Sequence, residues 1–313
     1  MESITHGAAA RRKGVLLMVA AALCWSTGGI FVRNVATTDG FEIVFWRSLF
    51  MVAFLFATLA WWHRGAVWSK IAGVGGAGLL SGALLAATFF FFILSLMRNT
   101  AANTFVLMST GPFFVAVFGW IFLRERVPLR TWIAIAAALA GVTLMFADGL
   151  GAGRSLGNLL ALGVATAFAL NVVVLRRMHA SVDMVPAVMI AGLISIAVAL
   201  PFALPLEPTA RDLVVLAPMG CLQLGLGCLL MTRATRFLAA GEIGLLSLVE
   251  TILAPLWVWL GVGERPSALA LAGAAVVLGA LLANEWVGLR RARAGAVAGL
   301  TRGQQTLIHP SRR

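Results

Sequence analysis

Ten runs of about 20 mainly apolar residues leave this chain few ways to fold. A helix rises 1.5 Å per residue, so each run can cross a hydrocarbon core about 30 Å thick. The runs are residues 14–33, 41–62, 71–97, 101–123, 129–146, 156–175, 184–204, 213–232, 241–262 and 268–288. None alternates with the period of two that outer-membrane strands need, and their lengths are those of helices. The fold expected is therefore an all-α integral membrane protein with ten transmembrane helices. Composition agrees: 61% of the 313 residues are hydrophobic and 12% are charged, far from a globular balance. The first run follows Arg11, Arg12 and Lys13 as a secretory signal would, but it is long and lacks a small-residue cleavage site. It reads as a permanent span.

A net charge of +12 raises the question of nucleic acid, which the placement of the cations answers. Of 24 Lys and Arg, 18 lie in the N-terminus, the loops after spans two, four, six and eight, and the C-terminal tail. The opposite side holds 5, Arg33, Arg98, Arg154, Arg211 and Arg265, and Arg47 lies within span two. By the positive-inside rule both termini are expected in the cytoplasm, and no nucleic-acid partner is expected. The basic tail could also touch anionic lipid.

Cys24, Cys221 and Cys228 all lie in spans without a metal spacing, and His6, His63, His179 and His309 form no HExxH motif. No disulfide, metal or other cofactor is expected. A phosphate-binding GxxxxGK[ST] loop is absent as well, so any transport work must come from gradients or a partner. The loops offer no nucleophile–base pair, and an enzyme is not expected.

The chain repeats itself. A shift of 139 residues lays "STGPFFVAVFGWIFLRER" (109–126) over "LVETILAPLWVWLGVGER" (248–265), matching Glu125-Arg126 with Glu264-Arg265 and Gly111-Pro112 with Glu250-Thr251. A shift of 143 sets Gly14 on Gly157, Trp25 on Phe168 and Arg33 on Arg176. Spans one and four thus pair with six and nine. Five spans per half is an odd number, so the second copy must enter the membrane upside down, as in many secondary transporters. The expected organisation is a tail at 1–13, a five-helix repeat at 14–147, an inverted five-helix repeat at 148–288 and a basic tail at 289–313.

The segments "AALCWSTGGIFVR", "FWRSL", "GPFFVAVFGWIFLRERVPLRTWIAIAAALAGV" and "VETILAPLWVWLGVGERPSALALAGAAVVLGALL", in this order, resemble the EamA-type transporters of the drug/metabolite transporter superfamily. That resemblance implies two inverted five-helix repeats and an alternating-access carrier in a bacterial cytoplasmic membrane, most often exporting small metabolites. It also implies that spans five and ten are peripheral scaffold or homodimer contacts. The family usually places Pro directly after the carboxylate of span nine, whereas here Thr251 follows Glu250 and the proline comes at Pro255.

Trp25, Ser26, Ser109, Thr110, Gln223 and Glu250 fall near the middle of their spans, and together suggest a binding layer. Ser and Thr also bond their own helix's carbonyls, which is the plainer reading of each alone. Glu250 is the strongest signal, because a carboxylate at a helix centre costs at least about 2.5 kcal/mol on insertion scales unless it faces protein or water. There it could exchange a proton and couple export to proton entry, neutralise a cationic substrate, or form a structural ion pair. Arg47, two turns into span two, could bind a substrate carboxylate, snorkel outward, or pair with Asp39 or Glu42. Its depth would also allow a gating pair with Glu250.

Pro112 and Pro255 each leave a carbonyl without its helical donor. Breaks are therefore expected at Gly111-Pro112 and Thr251-Pro255, in matched spans, as a transporter site would require. Phe89 to Phe92 must point all round their helix and are read mainly as packing. Trp61, Trp62, Trp68, Trp132, Trp257, Trp259 and Trp286 are assigned to an interface belt, and Glu125 and Glu264 to loop geometry. The expected function is export of small organic metabolites, amino-acid-like or drug-like, with lipid and protons as further partners. An uncoupled facilitator or a non-transporting scaffold are the alternatives.

Overall fold

The computed structural model describes residues 2–63, 73–151, 153–177, 184–238 and 240–308, and among these residues all regular structure is helical. The first span is split into α1 (Glu2–Ser26) and α2 (Gly28–Asn34), and α3 (Gly40–His63) and α4 (Gly75–Arg98) follow. The fourth span is also split, into α5 (Ala101–Met108) and α6 (Gly111–Leu123). Next come α7 (Leu129–Gly151), α8 (Ser155–Arg177) and α9 (Met184–Ala203). The eighth span is α10 (Ala210–Pro218), a π-helical segment (Met219–Leu226) and α11 (Gly227–Ala234). The chain closes with α12 (Ala240–Val262) and α13 (Ala268–Ile308).

Among the described residues nine helical segments are long and apolar enough to cross a membrane, and α12 adds an apolar run over Leu246–Val262. The chain is an α-helical multi-pass membrane protein. The segments read as tails are helical where described: α1 begins at Glu2 and α13 continues to Ile308. Trp68 and His179 lie outside the described residues.

Two ends of the bundle can be told apart, a proximal end with both termini and a distal end with the turns at 35–39, 99–100, 204–209 and 263–267. The packing has a definite plan. α4 lies on α8, α1 on α11 and α12, α8 on α5 and α6, α9 on α3 and α4, α3 on the π segment, and α7 on α13. α12 packs against α5 and α2 but, among the described residues, makes no comparable contact with α6. The ninth span thus meets the fourth on its distal half, α5, and not on its proximal half, α6.

A buried cluster fills that distal meeting point with Val32 from α2, Ile43, Val44 and Phe45 from α3, Phe92, Ile93 and Leu96 from α4, Phe105 from α5, and Val258 from α12. Polar ties cross the same end. Thr209 caps α10 by accepting from the Asp212 amide at 3.1 Å, and Asp212 in turn accepts the Ala36 amide at 2.6 Å. A cap of this kind contributes about 1 kcal/mol to its helix. Asn99 donates to the Asn158 amide oxygen at 2.6 Å, joining the α4–α5 turn to α8.

The α7–α13 pair depends on glycine. A Cβ added at Gly273 would lie 2.6 Å from the Gly141 carbonyl oxygen and 2.6 Å from Met145 Cγ. Within a membrane such small residues let backbones approach closely enough for van der Waals contact to hold helices together. Gly273→Leu is expected to part α7 from α13 at a cost of about 1–3 kcal/mol, read as a lowered thermal midpoint in detergent.

Candidate functional site

The site forms where the broken first span crosses the π-helical eighth. Ser26 and Thr27 turn their hydroxyls back on their own helix, donating to Leu23 O at 2.8 Å and Cys24 O at 2.6 Å. Such bonds loosen the i→i−4 ladder, and α1 ends at Ser26. The glycines that follow admit neighbours. A Cβ at Gly28 would sit 3.1 Å from both Gln223 Nε2 and Phe92 Cζ, and one at Gly29 would sit 3.0 Å from Val258 Cγ2. The segment "WSTGG" therefore lets α2, α4, α12 and the π segment converge.

Gln223 lies in the π segment, where the wider turn shifts side-chain directions; such bulges are frequent at functional sites. Its Nε2 donates to the Trp25 carbonyl at 3.4 Å, while its Oε1 is buried without a partner. Gly220, one turn earlier, has room for no side chain: a Cβ there would run into the Arg47 carbonyl oxygen and lie 2.8 Å from Phe50 Cβ. That close approach seats Arg47 beside the π segment.

Arg47 is 1% exposed. Its guanidinium lies over Phe89 at 5.2 Å and Phe92 at 5.9 Å from the ring centroids. One Nη approaches Phe89 O at 3.5 Å, and Nε is buried without a partner. No carboxylate pairs with it among the described residues. The expected alternatives of Asp39 or Glu42 do not hold, because Asp39 accepts the Phe41 amide and Glu42 accepts from Thr37 Oγ1. Snorkelling is also excluded by its burial.

Glu250, near the middle of α12, is half-buried and makes no hydrogen bond or ion pair among the described residues. It does not pair with Arg47. Cys228 lies within electrostatic reach of both groups, and the Trp25 indole lies against the neighbouring Gly227, so Trp25, Arg47 and Glu250 border one region. Seven residues along from Glu250, on the same face of α12, Trp257 donates from Nε1 to Ser26 Oγ at 3.0 Å.

Some expected members are placed differently. Ser109 and Thr110 donate to Val106 O at 2.7 Å and Leu107 O at 2.6 Å, so the plainer reading holds for both hydroxyls. The fourth span does break there, with Gly111 and Pro112 opening α6. The break expected at Thr251 and Pro255 is absent: α12 runs unbroken from Ala240 to Val262 with Pro255 inside it. One missing amide donor in a helix of 23 residues is not enough to end it when neighbouring turns are packed. The second interruption is instead the π segment of the eighth span.

Sequence reasoning missed three members. Phe89 and Phe92, three apart on one helical face, form the surface under Arg47, whereas Phe90 stacks toward Phe41 and Phe91 packs on Gly163. Trp257 was assigned to the membrane interface, yet its indole reaches Ser26. The signal available was its seven-residue spacing from Glu250, two helical turns on the same face.

Apolar helices in this number define a class, the polytopic membrane proteins, and comparison with known proteins narrows it. The EamA-like transporter family model matches twice, over residues 12–147 and 155–284. The chain belongs to the EamA-like transporter family; it is a membrane transporter of small molecules and not an enzyme. It is 26% identical over 283 residues to the pseudopaline exporter CntI of Pseudomonas aeruginosa, covering 87% of this chain and 95% of that protein. It is 25% identical over 259 residues to mouse solute carrier family 35 member G1, covering 77% of this chain and 69% of that protein. One crystal structure superposes with a TM-score of 0.63 at 17% identity, over 87% of this chain and 96% of the other, a likeness of fold.

Proposed function

We propose that this protein is a secondary exporter of small organic metabolites that works by alternating access, with Glu250 as the proton-exchanging or cation-binding group and Arg47 as the group that receives a substrate carboxylate. The observation that carries the reading is that Arg47, buried with an unpartnered Nε, and Glu250, half-buried in α12, pair with no opposite charge among the described residues. A buried cation and a half-buried carboxylate that do not neutralise one another are costly within a membrane, and such groups mark substrate or ion pathways. A substrate bearing both a carboxylate and an amine would satisfy both. Gln223 Oε1 supplies an acceptor between the two halves, and Phe89, Phe92, Trp25 and Trp257 supply aromatic surface.

Alternating access is supported by the packing plan. Exchanging spans one to five with six to ten turns the α4–α8 contact into α1–α11, α1–α12 into α8 with the fourth span, and α9–α4 into α3–π segment. The α3–α9 and α7–α13 contacts map onto themselves. An inverted repeat has this property, and the family model's two matches fall on the two halves. With both termini in the cytoplasm, the orientation that the basic loops favour, the distal end, where α12 packs on α5 and α2, faces outward. Export as the direction is supported by the relative that is named an exporter.

The test is efflux from proteoliposomes under an imposed pH gradient, with a panel of amino acids, their carboxylated amine derivatives and cationic drugs. Glu250→Gln is expected to abolish the response of efflux to the pH gradient, with substrate exchange retained at equal pH. A response to pH unchanged in this variant would exclude Glu250 as the coupling group. Wild-type flux without any pH response would favour an uncoupled facilitator.

A further inference from the structure

Two Arg–Glu pairs stand at opposite ends of the bundle. At the distal end Arg33 Nε meets Glu264 Oε2 at 2.7 Å, and both side chains are mostly covered, at 23% and 20% exposure. Neither partner stops there. The Arg33 guanidinium also donates to Leu96 O at 2.5 Å and Asn99 O at 2.6 Å, and Glu264 Oε1 accepts the Ala101 amide at 2.6 Å. The pair, from α2 and the end of α12, therefore grips the α4–α5 turn by its free carbonyls and its first amide. Those are the groups that helix ends leave unsatisfied.

At the proximal end Arg176 and Glu125 occupy the matching sequence positions. Arg176 Nη1 lies 3.3 Å from Glu125 Oε2 and both side chains are about half exposed, at 50% and 46%. Among the described residues they bond only to each other. The shift of 139 residues that carries Glu125 onto Glu264 carries Leu96 and Asn99 onto Thr235 and Leu238, in the turn between α11 and α12. Neither residue's carbonyl is gripped by Arg176 among the described contacts. One clasp is closed and its counterpart is open.

We propose that the two pairs are reciprocal clasps, and that the turn after α11 is the docking site of the Arg176–Glu125 pair in the alternate state. Arg33–Glu264 holds the distal end shut by binding the α4–α5 turn. When that grip opens, Arg176 takes the carbonyls of the turn at Thr235 and Leu238, and the proximal end shuts. The proposal rests on the alternating-access reading. It goes beyond it by assigning the state-defining contacts to four residues remote from the substrate.

The experiment uses the full chain in lipid nanodiscs, with Cys24, Cys221 and Cys228 replaced by serine and spin labels placed in two pairs. Arg98 with Arg265 reports the distal end and Arg126 with Arg236 the proximal end; all four are exposed. Glu264→Ala is expected to shift the ratio of distal-closed to distal-open distances about 10-fold toward open, with the proximal distances shortening in step. Glu125→Ala is expected to shift the same ratio in the opposite direction. That variant removes a half-exposed contact, so it leaves the present state folded. Opposite signs support the clasps, and a purely structural role does not produce them. Reciprocal distances in the parent protein with populations unmoved by either variant would overturn the clasps and leave alternating access standing. Two ends that never change together would overturn both.

Discussion

Replacing Arg47 with methionine is expected to reduce transport of carboxylate-bearing substrates sharply while raising the thermal midpoint of the purified protein. The two halves of this result share one cause. A guanidinium 1% exposed, with an unpartnered Nε and only ring faces and a carbonyl at 3.5 Å for company, is stabilised by much less than water would provide. Uncompensated buried charge lowers stability, and an apolar residue of similar length relieves it. The same missing partner makes the cation available to a substrate. A charge-assisted hydrogen bond contributes about 1.5–3 kcal/mol, so its loss should reduce flux about 10- to 100-fold. Arg47→Lys should rescue only in part, because a point charge cannot reproduce the planar fork. Thermal denaturation and proteoliposome flux on the same preparation give both readouts. A lowered midpoint with flux retained would make Arg47 a packing residue.

The second large effect is expected at Gly220. Any side chain there would collide with the Arg47 carbonyl and with Phe50, both held on α3. Backbone cannot move aside as a side chain can, so Gly220→Leu should force α3 away from the π segment at a cost of several kcal/mol. Little monodisperse protein should survive detergent extraction. Leu222, 49% exposed in the same segment, is the control: Leu222→Ala should leave yield and profile unchanged. Equal yields for Gly220→Leu and the parent would show that the π segment does not set the position of Arg47.

The spans were legible because a hydrocarbon core demands length and apolarity and little else; nine of the ten runs became helical segments long and apolar enough to cross, and the ninth became the shorter apolar stretch of α12. The two unpaired charges were legible for the same reason, since Glu250 and Arg47 stand out where charge is expensive. What sequence could not reveal was direction around each helix. Of four consecutive phenylalanines, two underlie Arg47 and two do not, and composition alone cannot choose between them. Proline misled for a related reason: it removes one donor, and whether a helix then ends depends on packing. Pro112 opens α6 whereas Pro255 rides inside α12. The π segment contains no proline to announce it, although Pro218 directly precedes it. Its glycines Gly220 and Gly225, read with their neighbours on α3, are the nearest thing to a trace.

The continuity of α12 has a consequence of its own. Glu250 sits at its middle and Glu264 two residues beyond its end, so about 18 Å of unbroken helix, from Glu250 to Val262, leads from one toward the other. Bending that rod would absorb a displacement at either place; an unbroken helix transmits it. By thermodynamic reciprocity, if occupying Glu250 weakens the grip at Glu264 by some factor, releasing that grip changes the affinity at Glu250 by the same factor. The length of unbroken helix between two carboxylates would then be the wiring of the transporter, with substrate or proton affinity measurable as a function of a residue that never touches either.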